Sequence, residues 1–259
     1  MDRASMPAPG AAPAGRVLEA ENIHVAFGGI HALSGVDMTL QQGIVTGLIG
    51  PNGAGKTTMV NVLSGFQRPT RGRILLDGAD VSRLGPQRMA RAGVGRSFQA
   101  ARLFRDMTVQ QNLMVAGIGG GRSRRAAAAL AADILSWMGL SAVAGQRCDS
   151  LSYGNERRVG IARALALGPA FVLLDEPASG MNEAECDALM HTIAAIPQRF
   201  GAGVLLIEHN MRVVMGVCRH ILVLDGGRSL AEGPPEAVQN DPDVRRAYLG
   251  EKSPAGGAA

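Results

Sequence analysis

The stretch Gly50-Pro51-Asn52-Gly53-Ala54-Gly55-Lys56-Thr57-Thr58 decides how this chain folds. It fits G-x-x-x-x-G-K-[ST], a loop that wraps backbone N–H groups around the phosphates of a nucleotide. Glycine lets such a loop turn tightly and presents no Cβ to an approaching phosphate oxygen. A helix opening near Lys56 aims its unpaired N–H groups and the positive end of its dipole at that anion. In this reading Lys56 reaches the terminal phosphates and the Thr57 hydroxyl holds Mg²⁺. Of 26 basic residues only two are lysines, Lys56 and Lys252. A chain that otherwise uses arginine keeps lysine at the one place where the motif requires it.

The flanks agree with the loop. Ile44-Val45-Thr46-Gly47-Leu48-Ile49 is a short, mostly apolar run that reads as a buried strand, and Met59, Val60, Val62 and Leu63 follow with helical spacing. Further strands are expected at Val17–Ala26, Val36–Leu40, Gly72–Leu76, Phe171–Leu174, Val204–Ile207 and Ile221–Leu224, with a helical stretch at Glu183–Phe200. That alternation predicts an α/β core built on a mostly parallel sheet. Residues 101–169 contain no strand-like run. There Gly117–Gly121 reads as a breaker and Arg124–Leu140 as an alanine-rich helix, which predicts a helical subdomain inserted into the core. One domain is expected over 16–250, with tails at 1–15 and 251–259 too rich in small residues and Pro/Gly to hold fixed structure.

Composition excludes several classes. A chain of 259 residues, 46% hydrophobic and 19% charged, has the make-up of a globular protein. No apolar run approaches the roughly 20 residues that span a bilayer, and the first fifteen residues lack the apolar core of a signal peptide. A cytoplasmic protein is expected. Cys148, Cys186 and Cys218 are widely spaced and suit neither a disulfide framework nor a metal cluster; buried thiols are the reading. With 3% aromatic residues the chain has little material for stacking on bases, so the net charge of +4 does not argue for nucleic acid.

Phe171-Val172-Leu173-Leu174-Asp175-Glu176-Pro177 is a buried strand that ends in two acids. Carboxylates at the C-terminal edge of a strand lie where open α/β sheets bind their ligands. Asp175 is read as holding Mg²⁺ through water, opposite Thr57, and Glu176 as polarising the attacking water.

Leu151-Ser152-Tyr153-Gly154-Asn155 ends twenty residues before Asp175, and a basic, alanine-containing helical stretch follows it. Ser152 stands where a helix N-cap belongs, with exposed N–H groups behind it that form a second anion site. Here the chain resembles the ATP-binding cassette (ABC) ATPases, whose signature is usually written LSGGQ. The resemblance spans about residues 17–250. It implies a P-loop fold with an N-terminal antiparallel β subdomain, and a head-to-tail dimer in which Ser152, Tyr153, Gly154 and Asn155 contact the γ-phosphate held by the opposite subunit. Gln99, after Gly95-Arg96-Ser97-Phe98, resembles the glutamine that touches Mg²⁺ and senses the transmembrane partner. His209, in Leu206-Ile207-Glu208-His209-Asn210, resembles the histidine that contacts the γ-phosphate. Phe27, in Val25-Ala26-Phe27-Gly28-Gly29, resembles the aromatic that stacks on adenine; a core phenylalanine is the competing reading.

Tyr153 stands in place of a signature glycine, Asn155 in place of the usual glutamine, and Asn182 where aspartate is common. Tyr153 and Asn182 are typical of one subfamily, the ATPases of branched-chain amino acid importers. Ala101–Val109 and Asn240–Glu251 resemble its motifs as well, closest to its LivG-type branch, although Gly117–Arg125 is shorter than in that branch. The resemblance implies an ATP- and Mg²⁺-dependent subunit on the cytoplasmic face of the membrane. Its partners would be transmembrane permease subunits, a second ABC ATPase and, indirectly, an extracytoplasmic solute-binding protein. An ATPase for lipid or lipopolysaccharide export shares much of the pattern. A soluble ABC protein of DNA repair or translation usually carries coiled-coil insertions, zinc cysteines or two cassettes, which this sequence lacks. A GTPase needs Asn-Lys-x-Asp, which neither lysine provides.

Overall fold

Two sheets organise the chain in the computed structural model, which describes residues 15–99 and 102–249. The first is antiparallel, in the order β2-β1-β4-β5, from β1 (Val17–Phe27), β2 (Ile30–Gln41), β4 (Arg71–Leu76) and β5 (Ala79–Asp80). The second has the order β10-β9-β3-β8-β7-β6. Its strands are β3 (Val45–Ile49), β6 (Val94–Arg96), β7 (Phe171–Asp175), β8 (Gly203–Ile207), β9 (His220–Asp225) and β10 (Arg228–Gly233). β9, β3, β8, β7 and β6 run parallel, and β10 closes one edge antiparallel to β9.

Alternation explains why the central strands read as continuous apolar runs. Val172 and Leu174, Val204 and Leu206, and Ile221 and Val223 face a core shared with helices. Phe171 and Leu173, Leu205 and Ile207, and Leu222 and Leu224 face the opposite core, shared with the antiparallel sheet and α1 (Lys56–Leu63). A strand covered on both sides has no position for a polar residue to reach water, so its pattern is apolar throughout. The helices of the first core include α6 (Glu183–Phe200) and α7 (Met211–Val217). The shorter α2 (Pro86–Ala92), α8 (Pro235–Asn240) and α9 (Pro242–Leu249) complete the frame.

Between β6 and β7 lie α3 (Val109–Gly119), α4 (Arg124–Trp137), two 3₁₀ turns and α5 (Tyr153–Ala166). Two boundaries differ from expectation. Helix α3 continues through Gly117 and Gly119, and the break falls at Gly120–Gly121. Gly117 is buried against α4, where an added Cβ would come within 3.0 Å of the Ala127 Cβ. It is there for close helix packing and does not interrupt the helix. A reciprocal capping box between Thr108 and Gln111 starts α3. Helix α4 ends at Trp137 because Gly139 takes a left-handed φ of 65°. Trp137 packs edge-on against Phe200 of α6, with ring centroids 5.1 Å apart.

The sequence reading also did not place β5, β6, β10, α2, α7, α8 or α9, and saw only the second half of β2. The three cysteines are free and buried. Residues 1–14, Ala100, Ala101 and 250–259 lie outside the described residues, as do most of the expected tails, Lys252 and the ends of two subfamily motifs.

Candidate functional site

Parallel pairing places the loops after β3, β6, β7 and β8 on one edge of the sheet. The loop after β3 is Gly50–Gly55, and two of its glycines are obligatory. At Gly50 (φ 153°) a Cβ would lie 2.2 Å from the Leu224 carbonyl oxygen, and at Gly55 (φ 101°) 2.6 Å from that of Ala32. Gly53 (φ 82°) opens onto free space, and Asn52 beside it is exposed. Pro51 is half-buried, and Ala54 packs into the core between the sheets. No side chain caps α1 and no acid sits in its first turn, so its N-terminal field is free to act on an anion.

Lys56 is buried, and its ammonium donates to the carbonyl oxygens of Gly50 (2.6 Å) and Pro51 (2.9 Å). Burial lowers its pKa, while the nearby carboxylates of Glu176 and Asp175 work against that shift. Thr57 is exposed and Thr58 half-buried.

Asp175 closes β7 and is buried; its Oδ2 accepts from Arg96 Nη2 at 2.9 Å. Arg96 closes the neighbouring β6. Its Nη1 donates to Asn61 of α1 at 2.7 Å, and its guanidinium lies over the rings of Phe98 (4.8 Å) and Phe66 (5.6 Å). Arg96 therefore ties the acid to the phosphate-loop helix. The sequence reading gave it no role, because a three-residue run does not announce itself as a strand.

Glu176 follows in a left-handed conformation (φ 48°), a strained backbone of the kind found at functional sites. One carboxylate oxygen lies 2.6 Å from His209 Nε2, and the other accepts from Gln99 Nε2 at 2.7 Å. Three residues singled out from different parts of the sequence thus meet on one carboxylate. Both oxygens of the Glu176 carboxylate are thereby held by named partners.

Ser152 caps α5 through its hydroxyl, which accepts from the Asn155 N–H at 3.4 Å. This helix start belongs to a different neighbourhood. A Cβ on Gly154 would come within 2.8 Å of Glu185 Oε1 on α6, and one on Gly180 within 2.8 Å of the Tyr153 ring. Tyr153 is half-exposed, with Arg157 stacked on its ring and bonded to its hydroxyl. Asn155 is half-buried. Asn182 caps α6 in a reciprocal box with Glu185; asparagine serves this role as well as aspartate does. Phe27 is 50% exposed at the tip of the β1–β2 hairpin, which excludes the core reading.

A phosphate loop, strand-end acids and a separately capped helix start define a nucleotide-binding cassette. Residues 33–179, more than half of the chain, match the family model described as ABC transporter, and residues 228–253 match that of the branched-chain amino acid ATP-binding cassette transporter. The chain belongs to the ABC transporter ATP-binding family and is an ATPase of that family. It is 42% identical over 250 residues to the high-affinity branched-chain amino acid transport ATP-binding protein BraF of Pseudomonas aeruginosa, covering 91% of this chain and 98% of that protein. The LivG protein of Escherichia coli K12 matches with the same identity and coverage. The lipopolysaccharide export ATP-binding protein LptB of Haemophilus influenzae is more distant, at 37% over 237 residues, with 91% and 98% covered. Among solved structures, the ADP conformation of the ATP-binding cassette MJ1267 superposes with a TM-score of 0.81 at 31% identity, covering 91% of this chain and 99% of that one. The dimeric cassette MJ0796 bound to ADP and Pi gives 0.75 at 25%, covering 84% and 98%.

Proposed function

We propose that this chain is the ATP-hydrolysing subunit of an importer for branched-chain or related amino acids. The observation that carries the reading is the convergence of Gln99 and His209 on Glu176, beside the phosphate loop. ATP would lie with its phosphates on Gly50–Thr58, contacted by Lys56, and with its adenine on the exposed ring of Phe27. Glu176 takes the proton of the attacking water, while Lys56 and His209 stabilise charge on the transferred phosphoryl group.

The Mg²⁺ fit rests on the donor set. Among the described residues no group of three His, Cys, Asp or Glu side chains is placed to cage a metal. Mg²⁺ commonly takes one or two protein oxygens and completes its shell with phosphate and water. The Thr57 hydroxyl and the Gln99 carbonyl oxygen would suit that need, with the Asp175 oxygen not bonded to Arg96 acting through water. Held there, the ion would supply positive charge to offset that of the nucleotide phosphates.

Ser152, Tyr153, Gly154 and Asn155 are assigned to the ATP of a second ABC ATPase, identical or related. Support comes from their setting on α6 and the loop after β7, with Tyr153 turned toward solvent. Permease subunits would dock near Gln99 and the helical segment, where Phe66, Phe104, Met107, Val115 and Ile118 are exposed. No described helix is long and apolar enough to cross a membrane, so work on a solute would pass through such partners on the cytoplasmic face, with a solute-binding protein beyond them. The match over residues 228–253 favours amino acids over lipopolysaccharide as cargo.

Glu176→Gln tests the chemistry. ATP binding should persist while hydrolysis falls about 10²-fold or more. Near-normal turnover would remove Glu176 from its role. Purifying the transporter and identifying the ligand of its solute-binding protein tests the cargo.

A further inference from the structure

Glu208 has no part in the chemistry described so far, yet it is one of the most deeply buried charged side chains, at 3% exposure. It follows β8 directly. Its Oε1 accepts from the Ala178 N–H at 2.6 Å, across to the loop after β7. Its Oε2 accepts from the His209 N–H at 3.2 Å. One side chain therefore joins the backbone of two loops. Glu176 stands at the root of the first loop, with its N–H on the Ile207 carbonyl oxygen at 3.0 Å, and His209 belongs to the second. Beyond Ala178 the first loop reaches Gly180, which lies against the Tyr153 ring.

The choice of residue type is informative. Two N–H donors, one from each loop, meet its two oxygens, and a carboxylate offers acceptors only. An amide of the same size would aim its NH₂ at one of those donors. Aspartate, one methylene shorter, would not span the two loops. Burial and the neighbouring Glu176 charge push the Glu208 carboxyl upward, and the backbone N–H groups pull it back. A buried acid that faces another acid needs a reason to be there, because an apolar side chain would avoid the desolvation cost.

We propose that Glu208 is a positioning residue that clips the loop of Ala178 to the loop of His209. The pair Glu176–His209 and the segment touching Tyr153 are thereby held in one arrangement. This rests on the ATPase reading above and adds to it. It assigns the link between the hydrolytic edge and the chain's own signature helix to one carboxylate.

The test uses the full-length chain, with Glu208→Gln as the near-isosteric variant and Glu208→Ala beside it. Amide hydrogen exchange should show Ala178 and His209 losing protection about tenfold or more, while the Val204–Ile207 amides keep theirs. ATP turnover should fall about tenfold in kcat, with KM within about twofold of wild type, the pattern of a misplaced catalytic pair. Unchanged exchange at Ala178 and His209 in Glu208→Gln would overturn the clip. A uniform loss of protection across the strands would reduce Glu208 to a packing residue. Loosened amides with wild-type kcat would overturn its role in positioning. If wild-type protein, alone or with a related ATPase subunit, hydrolyses no ATP, the proposed roles of Glu176 and His209 fall, and the exchange result alone decides the clip.

Discussion

The loop edge of the parallel sheet and the helical segment from Val109 to Ala166 carry the family's motifs in opposite ways. At the edge, Lys56, Asp175 and Glu176 all have partners within the chain: loop carbonyls, Arg96, and Gln99 with His209. In the helical segment Ser152 caps its own helix and Tyr153 is half-exposed. Strands buried on both faces fix their terminal residues to a common line, so chemistry that needs sub-ångström placement sits at their ends. A helix start on the surface can instead offer its N–H groups to another molecule. One region meets its own chain's partners at the sheet edge; the other leaves its helix start open at the surface, as the proposed service to a second chain requires.

Substitutions can break that contrast. The largest stability effect is expected at the edge, from Arg96→Met, which leaves the buried Asp175 carboxylate without its partner. Removing one half of a buried pair costs about 3–5 kcal/mol, to be read as a lower urea midpoint at an unchanged slope. A change below 1 kcal/mol would mean that the Arg96–Asp175 pair does little to hold the edge together. A smaller effect is expected from Gly117→Val, which forces α3 from α4 where a Cβ already meets Ala127 at 3.0 Å. Overpacking of this kind costs about 1–3 kcal/mol, and ATP binding at the edge should be untouched. Loss of binding in that variant would show the two regions to be less separable than their contacts suggest.

The edge was legible in the sequence wherever one short motif fixed one position. Lys56 and Asp175–Glu176 announced themselves by strand, loop and acid order, and the burial of their strands bore out that order. What escaped was adjacency. Nothing in Val94-Gly95-Arg96 says that this short run lies beside β7, so the Arg96–Asp175 pair was invisible, and Glu208 read only as an acid next to His209. Gly117 was misread because a glycine that breaks a helix and one that lets two helices touch look alike in sequence. Phe27 carried two readings until its exposure excluded one. Asn182, a departure from the common pattern, keeps the capping chemistry that aspartate would have supplied.

The division of labour between the two regions is tested most directly by titrating ATP into the isolated Ser152→Arg chain and following its hydrolysis. ATP should bind with wild-type affinity, because the phosphate loop is intact, while hydrolysis is blocked, because the signature cannot engage its partner's nucleotide. If Ser152→Arg instead abolished ATP binding to the isolated chain, the signature would be serving its own phosphate loop, and the composite site would be wrong.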